Sequence, residues 1–202
     1  GWDKGRMGVG LSQSESANPH HVETIRNLLI ESGAEFRERR REREWRGRPA
    51  IEIEWHVRGQ MAAQLKALAP GKRLTYRHAY LVEDEAQALF DALIDADGTR
   101  RKDSDRQLFI QNDRQTADVV QILALRLGYR GIMGKKPDGP YQVHITKSRW
   151  LTMRSANGKW IEPPRVDYDG LVWCPTVSTG YWLGRRNGRA FVTGNRFPPS
   201  LP

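Results

Sequence analysis

The sequence predicts a mixed α/β (α+β) chain: two diverged copies of a strand–helix–strand–strand unit, followed by a small β-rich segment. Three observations predict it. Two helical segments carry apolar positions that coincide when counted back from a closing glycine, each glycine is followed by two strand-like segments, and an Asn-Gly pair sits between short apolar runs near the C-terminus. The 202 residues suffice for one or two compact domains with a buried core. Lys and Arg number 33 against 24 Asp and Glu, a net charge of +9, which points to a polyanionic partner and to nucleic acid first. No run of about eighteen apolar residues is present to span a bilayer. The single cysteine, Cys174, excludes an internal disulfide framework and a CxxC zinc site. The five histidines show no metal-ligand spacing.

Taken in order, Leu11-Ser12-Gln13 precedes a helix over 19–32, with Val22, Ile25, Leu28 and Leu29 inward and Gly33 at its end. Strands over 35–44 and 50–57 follow. In the second copy Phe109-Ile110-Gln111 precedes a helix over 114–127, with Ala117, Val120, Leu123 and Ala124 inward and Gly128 closing it, and strands over 129–135 and 141–145 complete it. A helix over 83–95 precedes the second copy. Its counterpart ahead of Gly1 is expected upstream, so the chain reads as a portion of something longer. Residues 156–170, with Pro163-Pro164, read as a linker. Beyond it, 171–177 and 181–186 read as strands, Asn187-Gly188 as a two-residue hairpin turn, and 189–193 as the returning strand.

The string Ala92-Leu93-Ile94-Asp95-Ala96-Asp97-Gly98 resembles the signature of the LAGLIDADG homing endonucleases. The last six residues match in full, while Phe90, Asp91 and Ala92 depart from the first three. The resemblance implies a pseudo-symmetric αββαββα fold with two motif helices packed at its centre. It also implies that each helix delivers a carboxylate to a divalent metal, Mg2+, which activates water against a phosphodiester of double-stranded DNA. Carried onto this sequence, Asp97 is the catalytic and metal-binding carboxylate, Gly98 shares the metal site, and Asp95 takes the motif's structural acidic position.

The run 36–48 admits two readings. As a helix, its mixed Glu and Arg form a solvated, salt-bridged face. As a strand, period two places Arg37, Arg39, Arg41 and Arg43 on one face and Glu38, Glu42 and Glu44 on the other; the repeat favours the strand, with its arginines along DNA. In the following strand Ile51, Ile53, Trp55 and Val57 take the apolar face, and Glu52 and Glu54 are placed to pair with arginines. Lys147 and Arg149 are further DNA-binding candidates, placed to steady phosphate charge near Asp97.

The closing block, VWCPTVSTGYWLGRRNGRAFVTGN, looks like the C-terminal splicing segment of inteins, a Hint-type all-β domain. The resemblance makes Asn195 the residue that cyclises and cuts the bond after it. It gives Thr193 and Cys174 the places that one mechanistic subclass uses, with Cys174 either a first nucleophile or a packed small residue. Two departures bear on chemistry: Gly194 stands where His is usual, and Arg196 stands where a Cys, Ser or Thr nucleophile accepts the upstream flank.

The organisation expected is therefore an endonuclease domain over 1–155, a linker over 156–170, a splicing segment over 171–195 and flanking host sequence over 196–202. The partners are double-stranded DNA and an N-terminal intein fragment that supplies the first motif helix and the first splicing nucleophile, in the cytoplasm of a bacterial or phage-infected cell. The alternatives are a degenerate intein that cleaves without ligating and a DNA-binding module of the same fold.

Overall fold

The computed structural model describes residues 8–135, 137–147, 167–171 and 175–194, and the chain divides into two compact units, residues 1–74 and 75–202. The first unit runs through β1 (Val9–Ser14), α1 (Pro19–Glu31), β2 (Phe36–Trp45), β3 (Arg48–Val57), α2 (Gly59–Leu68) and a 3-10 turn at Pro70–Lys72. Its antiparallel sheet has the order β1-β3-β2. Alternation along β3 sends Ile53, Trp55 and Val57 to one face, where Val22 and Leu29 of α1 and Ala62 of α2 cover them. Burial of a large apolar side chain stabilises by about 1.5–3 kcal/mol, so these few residues hold the unit. Leu28, expected inward, is 59% exposed: a three-stranded sheet covers only the narrow stripe through Val22, Ile25 and Leu29. The helix α2 has no counterpart in the strand–helix–strand–strand unit and forms over the end of the apolar face, with Met61 and Leu65 beside the core.

The second unit opens with a 3-10 turn at Tyr76–Tyr80. It continues through α3 (Glu83–Asp97), β4 (Gly98–Arg100), β5 (Gln107–Gln111), α4 (Arg114–Arg126), β6 (Arg130–Lys135), β7 (Tyr141–Thr146), β8 (Tyr181–Arg186) and β9 (Arg189–Gly194). These strands form an antiparallel sheet in the order β4-β5-β7-β6-β9-β8, within which β5-β7-β6 repeats the order of β1-β3-β2. The helices α1 and α4, equivalent in the repeat, both close on a glycine at positive φ, Gly33 at +65° and Gly128 at +79°, a conformation that side-chain-bearing residues adopt at a cost. Phe90 and Ile94 of α3 and Ala117, Val120, Leu123 and Ala124 of α4 bury against Phe109, Val143 and Ile145 of the sheet. Asp113 caps α4 by accepting from the backbone N–H and the hydroxyl of Thr116, each at 2.8 Å.

The C-terminal hairpin forms as the Asn-Gly pair demands, with Asn187 and Gly188 at φ +50° and +72°. It does not stand apart from the repeats. Arg189 pairs with Ile132 of β6, the Met133 N–H donates to the Gly188 carbonyl at 2.8 Å, and Gln121 Nε2 donates to the carbonyls of Gly131 at 2.9 Å and Gly188 at 2.7 Å. Beneath the hairpin, Asp118 of α4 is 4% exposed. It is ion-paired with Arg185 and accepts from the Tyr76 hydroxyl at 3.2 Å. A buried carboxylate needs such partners, and this one draws its main cation from β8. Of the strand expected over 171–177, Leu171 and 175–177 lie in no strand, and 172–174 fall outside the described residues.

Phe109, fully buried, sets the expected scale: Phe109→Ala lowers the unfolding free energy by about 3–5 kcal/mol, whereas Leu28→Ala changes it by under about 0.5 kcal/mol. Urea unfolding of the two variants measures both, and a large loss from Leu28→Ala contradicts its outward position.

Candidate nucleic-acid interface and carboxylate site

The arginine-rich run is a strand. The register pairs Arg37 with His56, Arg39 with Glu54, Arg41 with Glu52 and Arg43 with Ala50, so these four arginines share the face of the first sheet opposite α1 and α2. The two glutamates of β3 on that face neutralise one end of the row: Arg43 meets Glu52 at 2.5 Å and Glu54 at 3.2 Å, and Arg41 meets Glu54 at 3.1 Å. Among the described residues Arg37 and Arg39 have no acidic partner, and both are exposed. A groove of about 1020 Å³ runs along this face, lined by Arg37, Arg39, Arg41, Glu54, His56 and Arg58 among others. It carries excess positive charge and an imidazole, the character of a surface for a phosphate backbone.

The other edges of β2 are tied down. Glu38 accepts a two-pronged contact from Arg26 of α1, Nε at 2.8 Å and Nη2 at 2.7 Å, and the Trp55 indole N–H donates to it at 2.8 Å. The Arg26 hydrogen bond holds the Glu38 carboxyl below its usual value, burial opposes that, and the indole adds to it. Arg40 pairs with Glu15 at 3.1 Å. These contacts tie β2 to α1, to β3 and to the turn after β1.

Asp97 is the last residue of α3, and Gly98 opens β4. The helix has Glu83, Asp84 and Glu85 in its first turn, where the positive end of the helix dipole favours them. Its last turn contains no basic residue and ends instead in Asp95-Ala96-Asp97, so acids sit at the negative end. Asp95 is compensated by Arg100 at 3.1 Å, which also binds Asp91 at 3.0 Å; these bonds, Asp91's first, raise the Arg100 pKa. Asp97 is exposed and has no ion pair among the described residues. A Cβ at Gly98 would lie 2.5 Å from the Ile94 carbonyl oxygen and 2.8 Å from its Cα. The chain therefore passes from helix to strand here only through glycine, and Asp97 is pinned at that junction.

Such a site suits a hard cation that keeps most of its waters and takes one or two carboxylates. It is no closed cage: no cluster of three or more His, Cys, Asp or Glu occurs among the described residues.

The register separates Lys147 from this junction, contrary to its expected place near Asp97. Gly98 stands level with Phe109, and Phe109 with Val143, so Lys147 lies four residues further along, roughly 13 Å of strand rise. Its backbone N–H is held by Asp105 at 2.8 Å, and its side chain is exposed. Thr193 lies on β9 opposite Trp182. Arg149, Cys174 and Asn195 fall outside the described residues. The polar pair Asp118 and Gln121 escaped sequence reasoning; the available signal was an acid and an amide inside the apolar stripe of α4.

The fold so described is a mixed α/β arrangement in which antiparallel sheets carry helices on one face. Among solved structures the chain is similar to I-DmoI, a LAGLIDADG homing endonuclease. Against I-DmoI in complex with DNA and Ca, identity is 16% and the TM-score 0.51, covering 71% of this chain and 72% of that one. Against I-DmoI in complex with DNA and Mn, identity is 14% and the TM-score 0.51, covering 71% and 78%. At these identities the likeness is one of fold. No family model matches the sequence, and no curated protein sequence matches it.

The Glu38 pKa lies lower folded than unfolded, so its contribution to stability is present above the ordinary carboxylate range and is lost as pH falls through the folded value. Glu38→Gln should therefore flatten the acid limb of the stability–pH curve, followed by urea midpoint against pH. An unchanged limb shows that the Arg26 contact contributes nothing.

Proposed function

We propose that this chain binds double-stranded DNA and forms part of a divalent-metal-dependent, site-specific DNA endonuclease. The observation that carries the reading is the arginine row of β2, in which two glutamates offset Arg41 and Arg43 while Arg37 and Arg39 stay available along an open groove. Phosphate contacts from that row supply affinity, and a bidentate arginine reads guanine. The complexes of I-DmoI with DNA and with Ca or Mn support the same partner class here.

Asp97 and Gly98 are the residues that would hold the metal, Mg2+ under cellular conditions. A bound ion there supplies charge stabilisation to the phosphodiester and lowers the pKa of water. The chain's own part is to hold a carboxylate at the acidic end of α3, where the helix dipole adds to its pull on a cation. The matching carboxylate is assigned to an N-terminal partner segment carrying the first motif helix.

The hairpin supports a second activity. It closes on Asn187-Gly188 and ends at Gly194, the residue before Asn195, which fits the terminal hairpin of an intein. Asn195 would cyclise and release the peptide after it, with Thr193 and Cys174 in the places the intein pattern uses. Arg196 provides no nucleophile for ligation, so the expected outcome is C-terminal cleavage without joined flanks.

Replacing Arg37, Arg39, Arg41 and Arg43 together flattens the plot of log affinity against log salt by up to about 0.9 for each phosphate no longer neutralised, read by fluorescence anisotropy on duplex DNA. Replacing Glu42 and Glu44 leaves it unchanged; equal effects refute the arginine face.

With the partner segment added, Asp97→Asn abolishes cleavage in Mg2+ while binding persists. Cleavage at the original rate removes Asp97 from the site. In the same assembly Asn195→Ala stops release of the Arg196 to Pro202 peptide, and Arg196→Ser permits joining; mass spectrometry reads both. Release from Asn195→Ala assigns the cut to another residue.

A further inference from the structure

We propose that the C-terminal hairpin β8–β9 is a second DNA-contacting element, locked onto the second unit's sheet so that Arg186 and Arg189 face the duplex. This inference rests on the DNA-binding reading above.

The six strands of that sheet contain no Asp or Glu. Alternation sorts their residues between two faces. Arg185 points to the helix side, since it meets Asp118 of α4, and so Arg186, one residue on, points to the opposite face. Arg189 stands directly across from Arg186 and is itself paired with Ile132. Register carries the same face across to Arg130, Gln142, His144 and Thr146 of β6 and β7. Leu108, Ile110, Ile132, Trp182 and Phe191 share that face, which is thus a mixed basic, polar and apolar surface with no carboxylate in any strand.

Arg186 and Arg189 are exposed, have no acidic partner among the described residues, and oppose each other beside the turn. Like charges directly opposed across a ladder destabilise it. The hairpin is nevertheless anchored by Arg185 to Asp118 and by Gly188 to Met133 and Gln121. An arginine pair held together without a carboxylate is relieved by an external polyanion, and the hairpin makes the sheet face two strands wider than the repeat alone provides.

Docking is also strict. A Cβ on Gly188 would collide with the Met133 carbonyl oxygen, so Gly188→Ala releases the hairpin without altering any charge.

The test uses the full chain and duplex DNA over a salt series, with hydrogen exchange of the Met133 amide reporting docking. Arg186→Gln with Arg189→Gln is expected to flatten the salt slope by up to about 1.8, two phosphates at about 0.9 each, with Met133 protection retained. Gly188→Ala is expected to give the same flattening with Met133 protection abolished. An unchanged slope in the double variant, while the four-arginine variant of β2 still flattens it, overturns the hairpin's role and leaves the DNA reading standing. An unchanged slope in Gly188→Ala despite abolished protection overturns the requirement for docking. Absence of duplex binding by the unaltered chain overturns both readings.

Discussion

A sheet covered by helices on one side only must divide the side chains of every strand between an apolar face and an open one. That constraint organises both units. In the first, Val57, Trp55 and Ile53 go under α1 and α2, and the same alternation turns Arg37, Arg39, Arg41 and Arg43 outward. In the second, Phe109, Val143 and Ile145 go under α3 and α4, and the partner positions build an open face without acids. A slip of one residue in either register would bury arginines and expose the core, so packing energy and charge placement are secured together.

The two open faces handle charge differently. Glutamates interleaved on β3 neutralise one end of the β2 row, leaving a gradient of positive charge along a single strand. Such exposed pairs add little stability, and their consequence is where free charge remains. In the second sheet compensation lies on the helix side instead, where Asp91 and Asp95 take Arg100 and Asp118 takes Arg185. These pairs hold the strands' edges in place while the opposite face stays uncompensated.

The end of α3, like Glu31 at the end of α1, breaks a helix rule. Acids suit its first turn and oppose the dipole in its last. Arg100 relieves Asp95, but Asp97 sits exposed at a junction that the Ile94 backbone restricts to glycine. In the proposed reading this is the carboxylate that would be offered to a cation.

The repeat, its helices, its closing glycines and the outward arginines were all legible in the sequence, because each depends on local periodicity or on a backbone conformation that one residue type favours. The Asn187-Gly188 turn was legible for the same reason. Missing were features that depend on long-range contact. Helix α2 is held by the end of a core assembled from three other elements, and Leu28 turns outward because the sheet beneath α1 is narrow. Above all, the hairpin joins the second unit's sheet through Arg185 on Asp118 and Gly188 on Gln121, contacts that each span more than sixty positions. Sequence spacing determined which residues could share a face; only the tertiary structure decided which faces met, because burying a carboxylate such as Asp118 demands a partner that local pattern does not reveal.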